Sequence, residues 1–204
     1  MSVQVLNTEQ AILESARRLF GAKGFSGVSM QDIAMDAHTT KSMINYYFRS
    51  KEKLFSKVFR EEFRKLFTSI GAVLASDLIL KKKIERIIAL DFELLIELPE
   101  LPIFVMSELQ RNPDMLFKDL ESIPIKNLVQ KLEKDIQVEV KKKMIMAISP
   151  MELMMNIQSL IFYPFIARPL MINRFGMNEK SFAQLMNKRK LSLIDFIWNS
   201  IKLK

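Results

Sequence analysis

Apolar residues recur every three or four positions along most of this chain, and that spacing is the period of an α-helix. Proline, glycine and small polar residues interrupt the pattern and mark the predicted helix ends. Residues 1–7 are expected to form a frayed arm, with Asn7 or Thr8 capping the first helix. No internal repeat or convincing strand pattern is visible. The sequence predicts an all-α fold of about nine helices, over residues 8–22, 30–36, 41–48, 51–76, 80–98, 103–110, 124–146, 150–168 and 179–201.

Two short helical patterns near the N-terminus are separated by a tight polar turn. Ser29 and Asp32 form a capping pair that favours the start of the first helix. A break at residues 37–40 follows, and Thr39 or Thr40 is able to cap the second helix through its hydroxyl. Two helices of about two turns joined by a turn of 3–4 residues form a helix-turn-helix, whose second helix enters the major groove of DNA.

The same segment resembles the N-terminal domain of TetR-type repressors, which has small, aromatic and basic residues at fixed spacing. The residues that match are Ile33, Ala34, Ala37, Thr40, Ile44, Tyr46, Phe48, Lys51 and Leu54. The upstream helix is similar too, through Ala11, Ile12, Ala16, Leu19 and Phe20, followed by Gly24-Phe25 and Val28-Ser29. The specific match covers about the first quarter of the chain. Beyond it, only the length and the helical character agree.

Two positions depart from the family's pattern. His38 stands where the turn usually carries glycine, and histidine tolerates a positive φ at such a position better than most residues. Asn45 stands where many relatives place a tyrosine that contacts a phosphate. Tyr46 or Tyr47 is therefore expected to supply the phenol.

The second of these helices carries the best candidates for DNA contacts. Lys41, Ser42 and Met43 are the candidates for base edges, since lysine reaches guanine acceptors and methionine packs on a thymine methyl. Gln31, at the start of the preceding helix, is expected to reach the same groove. The candidates for phosphate contacts, which fix register rather than sequence, are Thr39, Thr40, Tyr46, Tyr47 and Lys51, with Asn45 at the position of the family's tyrosine. The alternative is a helical hairpin whose polar residues are only solvated.

The formal net charge of the chain is +8, which suits an anionic partner. The predicted DNA-binding part does not carry most of this charge, since residues 1–53 hold seven Lys or Arg against five Asp or Glu. Much of the excess lies in lysine-rich segments at residues 81–83, 141–143 and 188–190. The DNA prediction therefore rests on the motif and not on the net charge.

Cysteine is absent, and His38 is the single histidine. These counts exclude disulfides, thiolate zinc sites and cysteine nucleophiles, and a metal site would need carboxylates almost alone. A catalytic pair of His38 with Ser29 or Ser42 lacks any accompanying oxyanion motif. We therefore expect no enzyme activity, no metal and no cofactor.

The chain beyond residue 50 is rich in methionine and phenylalanine, which suits a deformable helical interior. The family resemblance implies a pocket there, because TetR-type proteins commonly release DNA on binding a small molecule. The candidate lining residues are Phe92, Phe104, Met106, Gln110, Met155, Gln158 and Phe162, with Asn156 or Arg168 as further polar anchors. The same residues are also typical of ordinary core, and the sequence leaves both interpretations open.

Apolar stripes on the last two predicted helices are candidates for a subunit interface. The family builds a dimeric four-helix bundle from these helices, which implies an interface at Leu153, Ile157, Leu160, Ile161, Leu191, Ile194 and Trp198. Packing within one subunit is the alternative. A two-fold dimer would place two heads about one helical turn (~34 Å) apart and would require a palindromic operator.

The expected organisation is a DNA-binding domain over residues 1–50 and a ligand-binding and dimerisation domain over residues 51–204. No signal peptide is visible, and the longest uncharged stretch, residues 153–167, is shorter than the roughly 20 residues that span a bilayer. We expect a cytoplasmic homodimer that represses transcription, binds double-stranded DNA and a small-molecule effector, and has no membrane partner. The alternatives are a helical sensor whose head no longer reads DNA specifically, and an enzyme housed in the body.

Overall fold

The computed structural model describes residues 2–111 and 113–203, with side chains described except at residues 2–7 and 115–117. Eleven α-helices account for most of this part of the chain. In chain order they are α1 (Ser2–Lys23), α2 (Met30–Asp36), α3 (Lys41–Phe48), α4 (Lys51–Ala75), α5 (Leu80–Glu97), α6 (Leu101–Arg111), α7 (Pro113–Asp119), α8 (Ile125–Lys141), α9 (Pro150–Ile166), α10 (Arg168–Arg174) and α11 (Glu179–Ile201). The only strand-like feature in the described residues is an isolated bridge between Ile145 and Lys202, so the all-α prediction is confirmed.

The number of helices differs from the prediction of about nine. Helix α7 is additional and begins at Pro113, because proline is well tolerated in a first helical turn. Helix α10 is separate from α9, with Ala167 as the residue between them. The predicted stop at Asn112 falls outside the described residues. None of the helices in the described part of the chain is both long and apolar enough to cross a bilayer.

Two predicted helix ends are wrong. The frayed arm is wrong for residues 2–7, because α1 already begins at Ser2 and needs no cap at Asn7 or Thr8. Helix α8 ends at Lys141, because Lys143 takes a positive φ of 56° and turns the chain out of the helix.

Side-chain caps explain where several helices begin. Ser29, Thr40 and Ser50 accept hydrogen bonds from the backbone N–H three residues ahead, at the starts of α2, α3 and α4. Ser149 and Asn178 do the same for α9 and α11. Each bond satisfies one of the donors that a helix start leaves unpaired. The predicted cap at Ser29 is confirmed, and Thr40 rather than Thr39 caps α3.

Helices α1, α2 and α3 form a head around one apolar cluster. The buried residues of the cluster are Ile12, Ala16, Phe20, Val28, Ile33, Ala34, Ile44 and Phe48. Leu54, in the first turn of α4, is fully buried as well. Since α4 also packs against α5 and α8, the head is continuous with the rest of the structure through a packed helix.

Helix α5 lies at the centre of the body and packs against α4, α8, α9 and α11. Its buried face is apolar except for two groups, Lys83 and Asp91. The ammonium of Lys83 contacts the carboxylate of Asp135 on α8 and the carbonyl of Leu74 on α4, each at 2.6 Å. This buried cation therefore links three helices, and the loss of the Asp135 carboxylate would leave its charge uncompensated.

Candidate nucleic-acid interface

The turn between α2 and α3 holds these helices in a defined crossing. The N–H groups of Ala37 and Thr39 donate to the carbonyls of Ile33 and Ala34, each at 2.9 Å. His38 lies between the two donors with a φ of 49°, the left-handed conformation that ends many helices. The structure thus shows at His38 the positive φ that a glycine would adopt more readily.

Helix α3 has one apolar and one polar face. Ile44 and Phe48 bury the inner face in the head. The exposed residues of the outer face are Lys41, Ser42, Asn45 and Tyr46. Because residues four apart lie on the same side of a helix, this set forms one continuous polar surface. Tyr46 is 70% exposed, so its phenol is accessible to a partner.

The remaining candidates for DNA contacts border this outer face. Gln31 and Thr40 are exposed, whereas Thr39, Met43 and Tyr47 are half-buried. The Thr40 hydroxyl accepts the Met43 N–H at 3.2 Å, so it already serves as a helix cap. The ring of Tyr47 packs edge-on against that of Tyr46, with centroids 5.3 Å apart. The assignment of these residues to base or phosphate contacts stays a prediction.

Lys51 has a structural role that its sequence position did not indicate. Its ammonium donates to the carbonyls of Phe25 and Val28, at 3.0 and 2.9 Å. It also lies 4.2 Å from the centre of the Phe25 ring. Two of its three N–H groups are therefore engaged in fastening the loop before α2 to the start of α4. One N–H of the Lys51 ammonium is left for a phosphate contact, which stays a prediction.

The acidic groups of α2 are held by partners within the head. Asp36 pairs with Arg18, and hydrogen bonds from Ser15 and Arg18 lower the pKa of its carboxyl. The hydroxyl and backbone N–H of Ser29 lower the pKa of Asp32. Both carboxylates are therefore ionised at neutral pH, and the charge of Asp36 is compensated by Arg18.

One cation beside α3 was missed in the sequence analysis. Arg49 follows α3 as its C-cap, is exposed and has a φ of 68°. An exposed cation in this position is suited to a phosphate contact. Its place in the sequence directly after the predicted second helix is the signal that could have identified it. Among the described residues, no group of three His, Cys, Asp or Glu could hold a metal ion.

Ion pairs and close backbone packing connect the head to the body. Arg17 on α1 pairs with Glu62 on α4 at 3.1 Å and with Glu97 at the end of α5. Gly21, one turn further along α1, packs directly on α5. A Cβ atom there would lie 2.4 Å from the carbonyl oxygen of Glu97. The end of α1 therefore packs on the end of α5, and helix α4 is not the only link between head and body.

A second contact joins the loop after α1 to the start of α6. The Phe25 N–H donates to the Glu100 carboxylate at 3.0 Å. Gly24, with a φ of 68°, lies so close that a Cβ atom would be 2.4 Å from the same carboxylate. The loop that precedes α2 is thus held from both sides, by Glu100 of the body and by Lys51.

A half-open cavity of about 580 Å³ lies beside this contact, between the head and α6. Its walls come from the loop after α1, the first turns of α4 and one face of α6. Of the seven predicted ligand-binding residues, Phe104 lines this cavity and the other six do not. The sequence analysis missed the remaining lining residues, because they come from three separate segments.

The other predicted ligand-binding residues are not brought together around one cavity. Phe92 is fully buried core, while Gln110, Met106 and Met155 are exposed. Met106 and Met155 lie on exposed sides of their helices, and their place in a ligand pocket stays a prediction. Phe162 is half-buried on the outer side of α9. Composition shows that a segment is apolar but does not show which side of its helix faces inward.

Gln158 has a partner that the sequence did not reveal. Its side-chain N–H donates to one oxygen of the Asp91 carboxyl at 2.9 Å, and the other oxygen of Asp91 has no hydrogen-bond partner among the described residues. Burial raises the pKa of Asp91 to about 7, although the hydrogen bond from Gln158 acts in the opposite direction. A carboxyl group in such surroundings is stabilised in its neutral form.

The predicted subunit interface divides between core and surface. Leu153, Ile157 and Ile161 are 0–1% exposed, as the alternative of packing within one subunit requires. Leu191 is 67% exposed on α11. The remaining members are half-buried, and they are Leu160, Ile194 and Trp198.

The outer side of α9 carries an apolar stripe that lies opposite its buried side. The residues of this stripe are Met151, Met155, Phe162 and Ile166, of which Met151 and Met155 are 67% and 58% exposed. An apolar side of a helix is normally covered by other apolar groups. Helix α9 is covered by its own subunit on one side only, and the other side is available to a partner.

The comparisons with known proteins agree with the geometry of the head. The sequence model of the family described as "Bacterial regulatory proteins, tetR family" matches residues 12–58. The chain is 33% identical over 90 residues to the Bacillus subtilis protein named "Probable HTH-type transcriptional regulator YttP", a match that covers 44% of this chain and 43% of that protein. It is 42% identical over 55 residues to the Pseudomonas putida HTH-type transcriptional repressor NicS, covering 27% and 26% of the two chains. The chain thus spans less than half the length of these curated relatives.

Solved structures resemble the whole chain in fold. A Saccharomonospora viridis protein, described as a transcriptional regulator and solved in complex with choline, superposes with a TM-score of 0.65 at 22% identity over all of both chains. HlyIIR, a hemolysin II transcriptional regulator, superposes with a TM-score of 0.57 at 20% identity, covering 98% of this chain and 99% of that one. At these identities the likeness concerns the fold.

The head and the fold together define a helix-turn-helix protein with a helical body. Residues 12–58, the head together with the start of α4, match the model of the TetR family of bacterial regulatory proteins.

Proposed function

We propose that this protein is a homodimeric transcriptional regulator that reads a palindromic DNA site through α3 and represses transcription. The observation that carries the proposal is the outer face of α3. Its polar side chains are exposed, while a capped and hydrogen-bonded turn fixes the direction of the helix. A rigid helix with one free polar face has the form needed to enter the major groove. Such a role would be exercised in the cytoplasm, where the DNA is, and it involves no catalysis.

The organisation that we infer is a DNA-binding domain over residues 1–50 and an effector and dimerisation domain over residues 51–204. Lys51 and Leu54 at the start of α4 both contribute to the head, so the boundary is a rigid helix rather than a flexible linker. A change in the position of the body would therefore move the head. This supports the proposal that ligand binding alters the distance between two heads in a dimer.

A small molecule as the effector is supported by the structure solved with choline, which shares the fold of this chain. We propose a ligand that is largely apolar, because the body interior is built mainly from apolar side chains. Ligand and DNA must favour different arrangements of head and body for release to occur. The contacts of Arg17 and Glu100 between head and body are the ones that would differ.

The dimer that we propose uses the outer side of α9 together with Leu191 of α11. Introducing Met151→Glu and Met155→Glu together is expected to weaken dimerisation at least 100-fold, because two charges would be buried without partners at the interface. The monomer should stay folded, since both side chains are exposed. Sedimentation velocity over a range of micromolar concentrations measures the change.

The matched control for this variant replaces two exposed apolar residues elsewhere, Ile79→Glu and Ile125→Glu. The control protein should dimerise like the wild type. An unchanged dimer in the α9 variant would contradict the assignment of this face, and a monomeric wild type would contradict the dimer itself.

Selection of bound duplexes from a random pool tests the proposed DNA function. We expect enrichment of one sequence with two-fold symmetry and half-sites about one helical turn apart. The selected duplex should bind at least 1,000-fold more tightly than a random one at physiological salt. Titration with salt provides the control, because purely electrostatic binding weakens equally for both duplexes. Equal affinity at every salt concentration would contradict sequence reading and would favour a sensor whose head no longer selects DNA.

A further inference from the structure

We infer that the cavity between the head and α6 is a binding site for a small organic cation with an aromatic or branched apolar body. The cavity is formed by Phe25 of the head, the first turns of α4 and the face of α6 that carries Ile103 and Phe104. Its volume of about 580 Å³ lies within the range of sites for drug-sized ligands, roughly 300–1,000 Å³. Its effect on DNA binding rests on the proposed function, whereas the binding itself does not.

Three phenylalanine rings, those of Phe25, Phe55 and Phe104, form one part of the cavity wall. The rings of Phe25 and Phe55 meet edge to face with centroids 5.0 Å apart, and Phe55 meets Phe104 in the same way at 5.8 Å. Phe59 stacks behind Phe55 at 4.0 Å and supports it from the core. These mutual contacts hold the rings in place, so a ligand would meet a largely preformed apolar surface.

The charges at the edge of the cavity favour a cation over an anion. Three carboxylates line it, those of Glu52, Glu100 and Glu108, against the two cations Lys53 and Arg111. Because Glu108 lies on α6 and Glu52 on α4, negative charge is present on both sides of the opening. An aromatic wall with surrounding carboxylates attracts a cation through both its ring faces and its charges.

Two neighbouring contacts support this choice. The Lys51 ammonium lies 4.2 Å from the centre of the Phe25 ring and donates to the carbonyls of Phe25 and Val28, so this cation is already committed to the head. Arg60 is a cation close to Glu108, but Asp119 holds it in a two-pronged pair at 2.6 and 2.7 Å. The guanidinium is thus committed to Asp119, and the Glu108 charge remains available to a ligand.

A ligand bound in this cavity would contact the head directly. Phe25 belongs to the loop that leads into α2, and its N–H is bonded to Glu100 at the start of α6. A ligand between Phe25 and α6 would press on both ends of this bond. Binding and head position are therefore coupled at the same contact, without a relay through the body core.

Isothermal titration calorimetry with three naphthalene compounds of similar size tests the site. The probes are 1-naphthylmethyl-trimethylammonium, neutral 1-naphthalenemethanol and anionic 1-naphthaleneacetate. We expect the cation to bind most tightly and the anion most weakly, with at least a tenfold difference between these two. An order that favours the anion, or no binding of the cation at millimolar concentration, would overturn the inference.

Two variants connect the binding to this cavity. Ser107→Trp places a large ring in the cavity from α6 and is expected to weaken binding of the cation at least tenfold. Glu108→Gln removes one carboxylate and is expected to weaken it about threefold while leaving the neutral probe unchanged. The matched controls are Thr68→Trp and Glu133→Gln, which lie on exposed positions away from the cavity and should bind like the wild type. A thermal melt of each variant confirms that it is folded.

The outcomes separate this inference from the proposed function. Undiminished cation binding by Ser107→Trp, with the fold retained, would overturn the site. Loss of binding in that variant would support the site even if the protein selects no DNA sequence. Cation binding at the cavity with no change in affinity for the selected duplex would leave the site in place and contradict ligand-controlled release.

Discussion

Replacing Lys41 and Tyr46 together by alanine is expected to lower the affinity for the selected duplex on the order of 100-fold or more. A lysine contact with a base edge contributes about 1–3 kcal/mol, and a phenol on a phosphate contributes about 1 kcal/mol. A dimer would lose each contact twice. Both side chains are exposed, so the thermal stability should change little. Fluorescence anisotropy at one fixed salt concentration measures the affinity.

The single variants distinguish two kinds of contact. Lys41→Ala should lower affinity for the selected duplex much more than for a random one, because base contacts carry the sequence information. Tyr46→Phe should weaken both duplexes by a similar factor, since it removes a phosphate contact and keeps the ring. Lys126→Ala removes an exposed lysine of the body and serves as the control. Unchanged affinity in a folded, dimeric double variant would refute DNA reading by α3.

Replacing Asp91 by asparagine is expected to stabilise the protein by about 3 kcal/mol at pH 8. The folded pKa of Asp91 is about 7, above the ordinary value of 3.8 for an aspartic acid, because the carboxyl is buried. Between these two values the folded protein holds a proton that the unfolded chain has lost. Stability therefore falls as pH rises from about 4 to about 7 and stays low above that range. Asparagine does not ionise, so it removes this loss.

The measurement is the free energy of unfolding in urea at pH 4.5 and pH 8, at one protein concentration. The wild type and Asp91→Asn should differ little at pH 4.5 and clearly at pH 8. Asp195→Asn, which changes an exposed aspartate, should show the wild-type dependence on pH. If the difference in unfolding free energy between the wild type and Asp91→Asn were the same at pH 4.5 and pH 8, the prediction would be refuted. The Asp91 carboxyl would then ionise in the folded protein at little cost.

Local features of the head could be predicted in detail because they depend on neighbouring residues. Ser29 with Asp32 sets the start of α2, and Thr40 sets the start of α3, through bonds that span three residues. Gly24, at a φ of 68°, ends α1 for the same local reason. The spacing of small and aromatic residues then sufficed to recognise the family, which the comparison confirms for residues 12–58.

The side of each helix that faces inward could not be predicted in the body. Helix α9 carries apolar residues on two opposite sides, so periodicity could not tell Ile157, which is buried, from Met155, which is exposed. The predicted interface therefore included inner residues, and the predicted pocket included outer ones. Asp91 was overlooked for a related reason, since its burial depends on four neighbouring helices and not on its own sequence surroundings.

The sequence by itself determined the helical fold class, most helix starts and the identity of the head. Caps, breaks and apolar periods act over a few residues, and those residues are adjacent in the chain. Only the tertiary structure decided how Lys51 is used, where Glu100 meets Phe25, and that a cavity separates the head from α6. The contacts of Lys51 and Glu100 join residues 23 to 75 positions apart. Their approach is set by the packing of whole helices, so it cannot be predicted from local spacing.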